Sequence, residues 1–146
     1  MTLLVDTSVW SLAFRRDLEP QSTEVLKLRE SLHGGEAIVI TGIVLQELFQ
    51  GFSGPSARDI IIDRFASLPL LAPDQNDHIG AAELRTSCRR AGVQLGTIDA
   101  LLVQLCIRHR LTLLTTDRDF VNAAAHCALI VWTPSPTAHP RRTRRT

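Results

Sequence analysis

The sequence predicts an α/β sandwich with a mainly parallel sheet, and three observations carry that expectation. Short apolar runs without alternation recur at Leu3-Leu4-Val5, Ala37-Ile38-Val39-Ile40, Leu111 to Thr115 and Leu129-Ile130-Val131-Trp132, as in strands buried on both faces. Capped or amphipathic helical stretches separate them, the alternation of βαβ units. At 146 residues, 45% hydrophobic, the chain has material for one sizeable core and therefore one domain.

In chain order, Leu3-Leu4-Val5 ends at Asp6-Thr7-Ser8, three residues that favour helix N-caps, and a helix follows from about Val9 to Phe14. A second helix is expected from about Pro20 to Leu32, closed by Gly34-Gly35. After the Ala37 strand, Thr41 caps an amphipathic helix through Phe52, Pro55 opens another to about Leu68, and Leu70-Leu71-Ala72 adds a short extended piece. Asp74 to Ala91 reads as a long helix stopped by Gly92. Thr97 is expected to cap a helix to about Arg110. Asp117 starts one to about His126, and the last strand ends at Trp132. The domain thus spans residues 1–132. Pro134, Pro136 and Pro140 among Ser, Thr and Arg mark 133–146 as a basic, disordered tail, and no internal repeat is evident.

The formal net charge of +1 hides an asymmetry. Residues 133–146 hold Arg141, Arg142, Arg144 and Arg145 and no acid; setting these four aside leaves 12 basic residues against 15 acids, a body of −3. No apolar run approaches the ~20 residues of a membrane span. Asp6 precedes any cationic or long apolar leader, so a cytoplasmic protein with no membrane partner is expected. Cys88, Cys106 and Cys127 lack zinc-ligand spacing and read as buried thiols in a reducing compartment.

Chemistry in an open parallel sheet lies beyond the carboxyl ends of its strands, where Asp6 and Asp117 stand. Either alone is explained as a helix cap. Asp99 is harder to explain so, because Leu102, Val103 and Cys106 follow it three, four and seven residues on, placing its carboxylate on an apolar stripe. Glu47 sits at the edge of such a stripe beside Gly51. Converging carboxylates ~4 Å apart repel by roughly 4 kcal/mol at an effective dielectric near 20. Protonation or a bound cation must relieve that, and all-oxygen donors suit Mg²⁺ or Mn²⁺, the ions of phosphoryl-transfer chemistry.

The segments Asp6-Thr7-Ser8-Val9-Trp10, Glu47-Leu48, Thr97-Ile98-Asp99-Ala100-Leu101-Leu102 and Leu113-Leu114-Thr115-Thr116-Asp117-Arg118-Asp119-Phe120 resemble, in this order, the motifs of PIN-domain nucleases, and specifically the VapC toxins of VapBC toxin–antitoxin systems. The resemblance covers residues 2–132. It implies a PIN-like three-layer sandwich and a Mg²⁺- or Mn²⁺-dependent endoribonuclease that uses a metal-activated water and inhibits translation. It further implies neutralisation by a cognate VapB-type antitoxin, and a homodimer. Carried over by position, Asp6, Glu47, Asp99 and Asp117 become the catalytic, metal-binding quartet, with Asp119 assisting through water. Thr7 and Thr116 become hydroxyls that orient carboxylates or waters, balanced against simple capping; for Ser8 and Thr115 capping and turn hydrogen bonds are the preferred reading.

Outside the motifs, Ile60-Ile61-Ile62 spans about 200° of a helix and cannot all face one core, which leaves one or two for a second subunit, an antitoxin or, as an equal alternative, a local core contact. Trp10 and Phe14, four apart, read as core. The tail arginines suit RNA phosphates, and a solvated tail without function is at least as good a reading. Two other classes remain open: a non-catalytic RNA- or protein-binding module on the same fold, and a phosphoaspartate protein of receiver or phosphatase type. Against the latter, no Asp-x-Asp occurs at Asp6, and the single lysine, Lys27, lies in a helix.

Overall fold

A computed structural model describes residues 1–15 and 22–135. Five strands, β1 (Thr2–Val5), β2 (Ala37–Thr41), β3 (Leu70–Leu71), β4 (Thr112–Leu114) and β5 (Ile130–Val131), form one sheet in the order β3-β2-β1-β4-β5. Every pairing is parallel. Seven helices connect them: α1 (Thr7–Phe14), α2 (Thr23–Leu32), α3 (Gly42–Gly51), α4 (Pro55–Phe65), α5 (Gln75–Arg90), α6 (Thr97–His109) and α7 (Arg118–Ala124).

From β1 the chain steps outward to β2 and β3, then returns across the sheet to β4 and β5. With right-handed crossovers the outward steps place α1–α4 on one face and the returning steps place α5–α7 on the other. This is the three-layer sandwich that the resemblance implies. Leu3, Leu4 and Val5 of the central strand are each fully buried, which is why that strand reads as a continuous apolar run. The order differs from the 2-1-3-4-5 sheet of receiver-type proteins. Lys27 is committed to Glu36 at 2.7 Å and lies under the Trp132 ring, so it serves the packing of α2 rather than a phosphoaspartate.

Several boundaries moved for local reasons. Residues 16–21, with the expected start at Pro20, lie outside the described residues; α2 begins at Thr23 because the Ser22 hydroxyl accepts the Val25 N–H at 3.1 Å. It stops at Gly34, whose φ of 110° is costly for any residue with a Cβ. Thr41 caps α3 as expected. Thr97 does not cap α6: the Gly96 carbonyl accepts from Ala100 N–H at 2.9 Å, so Gly96 is the cap and Thr97 is already helical. Helix α4 ends at Phe65, short of Leu68. Helix α7 ends at Ala124, short of His126.

Trp10 and Phe14 belong to an aromatic cluster with Phe65 and Phe52 between α1, α3 and α4. Ile61 is buried, while Ile60 and Ile62 are 37% and 42% exposed, so the triple isoleucine divides between core and surface as its helical arc requires. Cys88 and Cys106 are buried free thiols, whereas Cys127 is partly exposed and bonds the Ala123 carbonyl.

On the opposite face, α5 and α6 are locked by an ion pair. Asp77 is 0% exposed; one oxygen takes the Asp74 N–H at 2.9 Å and the Arg108 guanidinium, and the other has no partner among the described residues. Burial opposes the ion, but the Asp74 N–H and Arg108 outweigh it and hold the carboxyl below its ordinary value. Arg108→Leu is therefore expected to cost about 3 kcal/mol at pH 7 in urea unfolding. The cost should shrink as the pH falls through the lowered Asp77 value, where the charge disappears. A double variant with Asp77→Asn should recover more than half of it; no recovery would overturn the pairing.

Candidate active site at the carboxyl edge of the sheet

Strand order reverses between β1 and β4, and at that switch point the crevice beyond their carboxyl ends is the expected ligand position. Asp6 follows β1 and Asp117 follows β4; α6 brings Asp99 and α3 brings Glu47. Asp99 feels the other four acids: burial, then the charges of Asp6, Asp117, Glu47 and Asp119 push its carboxyl up to about 6. The same field reaches Cys106, whose thiol burial and Asp6 push up to about 12, so it stays protonated.

Asp6 occupies the N-cap position of α1, yet its side chain caps nothing. Its carbonyl accepts the Val9 and Trp10 N–H groups instead. The carboxylate, 7% exposed, receives Ser8 Oγ and Thr115 Oγ1, both at 2.9 Å on Oδ2. Those hydroxyls are themselves acceptors, Ser8 from the Thr116 N–H at 3.2 Å and Thr115 from the Asp117 N–H at 3.0 Å. With its oxygen occupied by a backbone donor, each hydroxyl directs its proton to Asp6. Thr115 thus makes the turn hydrogen bond expected of it, on the Asp117 N–H two residues on, and beyond that it and Ser8 tie the two strand ends together through one carboxylate oxygen.

Thr7 Oγ1 donates to Glu47 Oε1 at 3.0 Å, orienting that carboxylate across the gap between α1 and α3. Thr116 is exposed, and among the described residues only its backbone N–H is engaged, so the orienting role passes from it to Ser8 and Thr115. Asp117 does cap α7, with Oδ1 on the Asp119 N–H at 2.9 Å, while Asp119 itself is exposed. Gly96 was not legible as a neighbour of the site; a Cβ there would meet Asp99 Oδ2 at 3.6 Å, an ordinary van der Waals contact. The signal available was its position three residues before Asp99.

Among the described residues no three acids, histidines or cysteines already form a coordination shell. Unneutralised carboxylates brought to ~4 Å would repel by roughly 4 kcal/mol per pair, a repulsion that a bound cation would offset. None of the five takes part in an ion pair among the described residues. Donor chemistry and charge therefore fit a hard divalent cation, with the carboxylates still apart.

A five-stranded parallel sheet with a carboxylate cluster at its switch point defines the class, an α/β domain with an acidic centre. The PIN domain model matches residues 3–126, and the chain belongs to the PIN domain family, a family of nucleases. Solved structures share the fold. VapBC2 from Rickettsia felis, bound to a DNA fragment from its promoter, matches with a TM-score of 0.68 and 24% identity over 90% of this chain and 98% of that one. VapBC-1 from nontypeable Haemophilus influenzae gives 0.68 and 14% over 91% and 97%. FitAcB from Neisseria gonorrhoeae gives 0.65 and 18% over 90% and 96%. No helix among the described residues is long and apolar enough to cross a membrane.

Proposed function

We propose that the protein is a metal-dependent endoribonuclease toxin of the VapC type, hydrolysing RNA phosphodiester bonds, inhibiting translation and neutralised by a VapB-type antitoxin. The observation that carries it is the carboxylate cluster at the switch point of a PIN fold, with the Asp99 carboxyl pushed up to about 6 by burial and then by its neighbours' charges. Asp6, Glu47, Asp99 and Asp117 would hold Mg²⁺ or Mn²⁺, with Asp119 reaching through water. A bound ion of this kind supplies an activated water and neutralises charge on the scissile phosphate.

The chain's own residues set up that chemistry. Ser8 and Thr115 fix Oδ2 of Asp6 and make no hydrogen bond to its other oxygen. Thr7 does the same for Glu47. The tail arginines Arg141, Arg142, Arg144 and Arg145, outside the described residues, would grip RNA phosphates flanking the cut. A groove of about 490 Å³ lined by Phe14, Phe52, Ile60 and Arg64 offers apolar surface to the antitoxin or to a second copy in a homodimer.

The proposal is tested by incubating the purified protein with total RNA and Mg²⁺ or Mn²⁺, with EDTA in a parallel sample. Cleavage is expected in the first and none in the second. Cleavage that survives EDTA would overturn the metal dependence; none under any condition would favour a non-catalytic module.

A further inference from the structure

Helix α6 feeds β4, so its first turn, with Asp99, stands at the carboxyl edge of the sheet and its last turn at the opposite edge. Helix α5 runs antiparallel to it: Asp77 near the start of α5 bonds Arg108 near the end of α6, and between them a Cβ at Gly80 would meet the Gln104 side chain at 2.7 Å. The last turns of α5 therefore arrive beside the cleft. Residues 91–96 make the return to α6, and Arg85 clamps that return, its Nε donating to the Leu95 carbonyl at 2.9 Å. Next in the chain is Gly96, the neighbour of Asp99 Oδ2. Only Nε of Arg85 is engaged among the described residues, which leaves both Nη groups of an exposed guanidinium. Arg89 is exposed one helical turn on, so two like charges are neighbours on one face of α5. Neither belongs to an ion pair among the described residues. Such a pair repels, and an anion bound between the two relieves it.

We propose that Arg85 and Arg89 form a phosphate rim on the α5 side of the cleft, seating the RNA backbone beside the phosphate that is cut, with Arg85 as the principal substrate-positioning residue. In naming RNA this inference rests on the ribonuclease reading. A guanidinium already held at Nε offers its Nη fork with little freedom left to lose, in the geometry that phosphate oxygens accept. The neighbouring phosphates of a bound strand then meet positive charge while the cut one faces the acidic cluster. The rim thus offsets the repulsion that an acidic cleft exerts on a polyanion.

Arg85→Gln is the informative change, because Gln Nε2 stands as many bonds from the backbone as Arg Nε: the donor to Leu95 is kept and the charged fork is lost. Anisotropy titrations of a labelled single-stranded RNA are run in Mg²⁺ across ~50–300 mM salt, in an Asp99→Asn background that leaves the RNA intact. Arg85→Gln and Arg89→Gln are each expected to reduce the salt slope by ~0.7, one phosphate contact on a single strand, and together to weaken binding about 3–10-fold. Arg85→Lys keeps the charge and should restore the slope; a residue that only clamps the loop would show the reverse order, intact with Gln and impaired with Lys. Arg29→Gln, the same charge change in the last turn of α2 at the opposite edge of the sheet, should leave the slope unaltered. With Asp99 intact, the double Gln variant should lose about 3–10-fold in kcat/KM, carried by KM. Slopes unmoved by both Gln variants, an equal effect of Arg29→Gln, or no RNA binding at all would overturn the rim. Cleavage with an unaltered KM in the double variant sinks the rim and spares the ribonuclease reading; binding that needs the arginines in a protein that cuts no RNA does the opposite.

Discussion

Asp99→Asn is expected to melt about 3–8 °C above the unmodified chain in metal-free buffer at pH 7, and to lose RNA cleavage by ~100-fold or more. The stability gain follows from the direction of the shift. A carboxyl raised from 3.8 to about 6 in the folded protein keeps its proton while the unfolded chain has released its own. Between about pH 4 and pH 6 the folded state therefore binds more protons, and stability falls as pH rises. Below that window the penalty is absent; above it the penalty is complete. Two units correspond to about 3 kcal/mol, and water reaching the half-open carboxylate reduces this to ~1–2 kcal/mol. For a domain of this size that is several degrees. Asp77 and Glu36 are shifted downward from 3.8 and 4.5, so their contributions rise with pH only up to about those values; Glu36 opposes the slope at the lower end of the window, and the decline is read between pH 5 and pH 6. The activity loss corresponds to about 2.7 kcal/mol of transition-state stabilisation, within the range for removing a group that holds the catalytic charge. Scanning calorimetry at pH 4, 5, 6 and 7 checks the first part. A variant that melts lower at pH 7, or an unmodified chain whose stability does not decline across the window, would remove the basis for reading the cluster as mutually strained.

Clustered acids alone suggest that neutralising any of them, Asp6 included, relieves the repulsion. The structure separates them. Two hydroxyls already solvate Asp6, whereas Asp99 emerges from the stripe of Leu102, Val103 and Cys106 and bears the strain.

That contrast shows what the sequence could carry. Strands buried on both faces announce themselves by composition, as at Leu3-Leu4-Val5, and a carboxylate on an apolar stripe announces itself by helical period, as at Asp99. The resemblance in motif order extended this to Glu47 and Asp117. What stayed hidden was tertiary. Whether Ser8 caps its own helix or reaches Asp6 depends on Thr116 arriving from 108 residues away to occupy its oxygen, and no local pattern encodes that. The division of labour between Thr115 and Thr116, adjacent and chemically identical, depends on which of them points inward after β4: Thr115 is buried and Thr116 exposed. Short strands such as β3 and β5 are defined by pairing more than by their residues, so their ends shift by one or two positions.

The two threonines give the second large effect. Thr115→Val keeps shape and β-branching but removes the hydroxyl that joins Asp6 Oδ2 to the Asp117 N–H. Asp6 then depends on Ser8 alone, and the Asp117 N–H loses its acceptor at the base of the cleft. A charge-assisted bond plus an orphaned donor amounts to about 2–4 kcal/mol in urea unfolding. Because the lost bond also orients Asp6, cleavage should fall about 10–100-fold beyond what unfolding explains at the assay temperature. Thr115→Ser restores the hydroxyl and is expected to recover most of both. Thr116→Val, one residue away on an exposed side chain, should stay within about 0.5 kcal/mol of the unmodified chain. If Thr115→Val proves as mild as Thr116→Val, or Thr115→Ser as damaging as Thr115→Val, the hydroxyl does not hold Asp6, and the ordering of the cleft must come from the backbone of β1 and β4 instead.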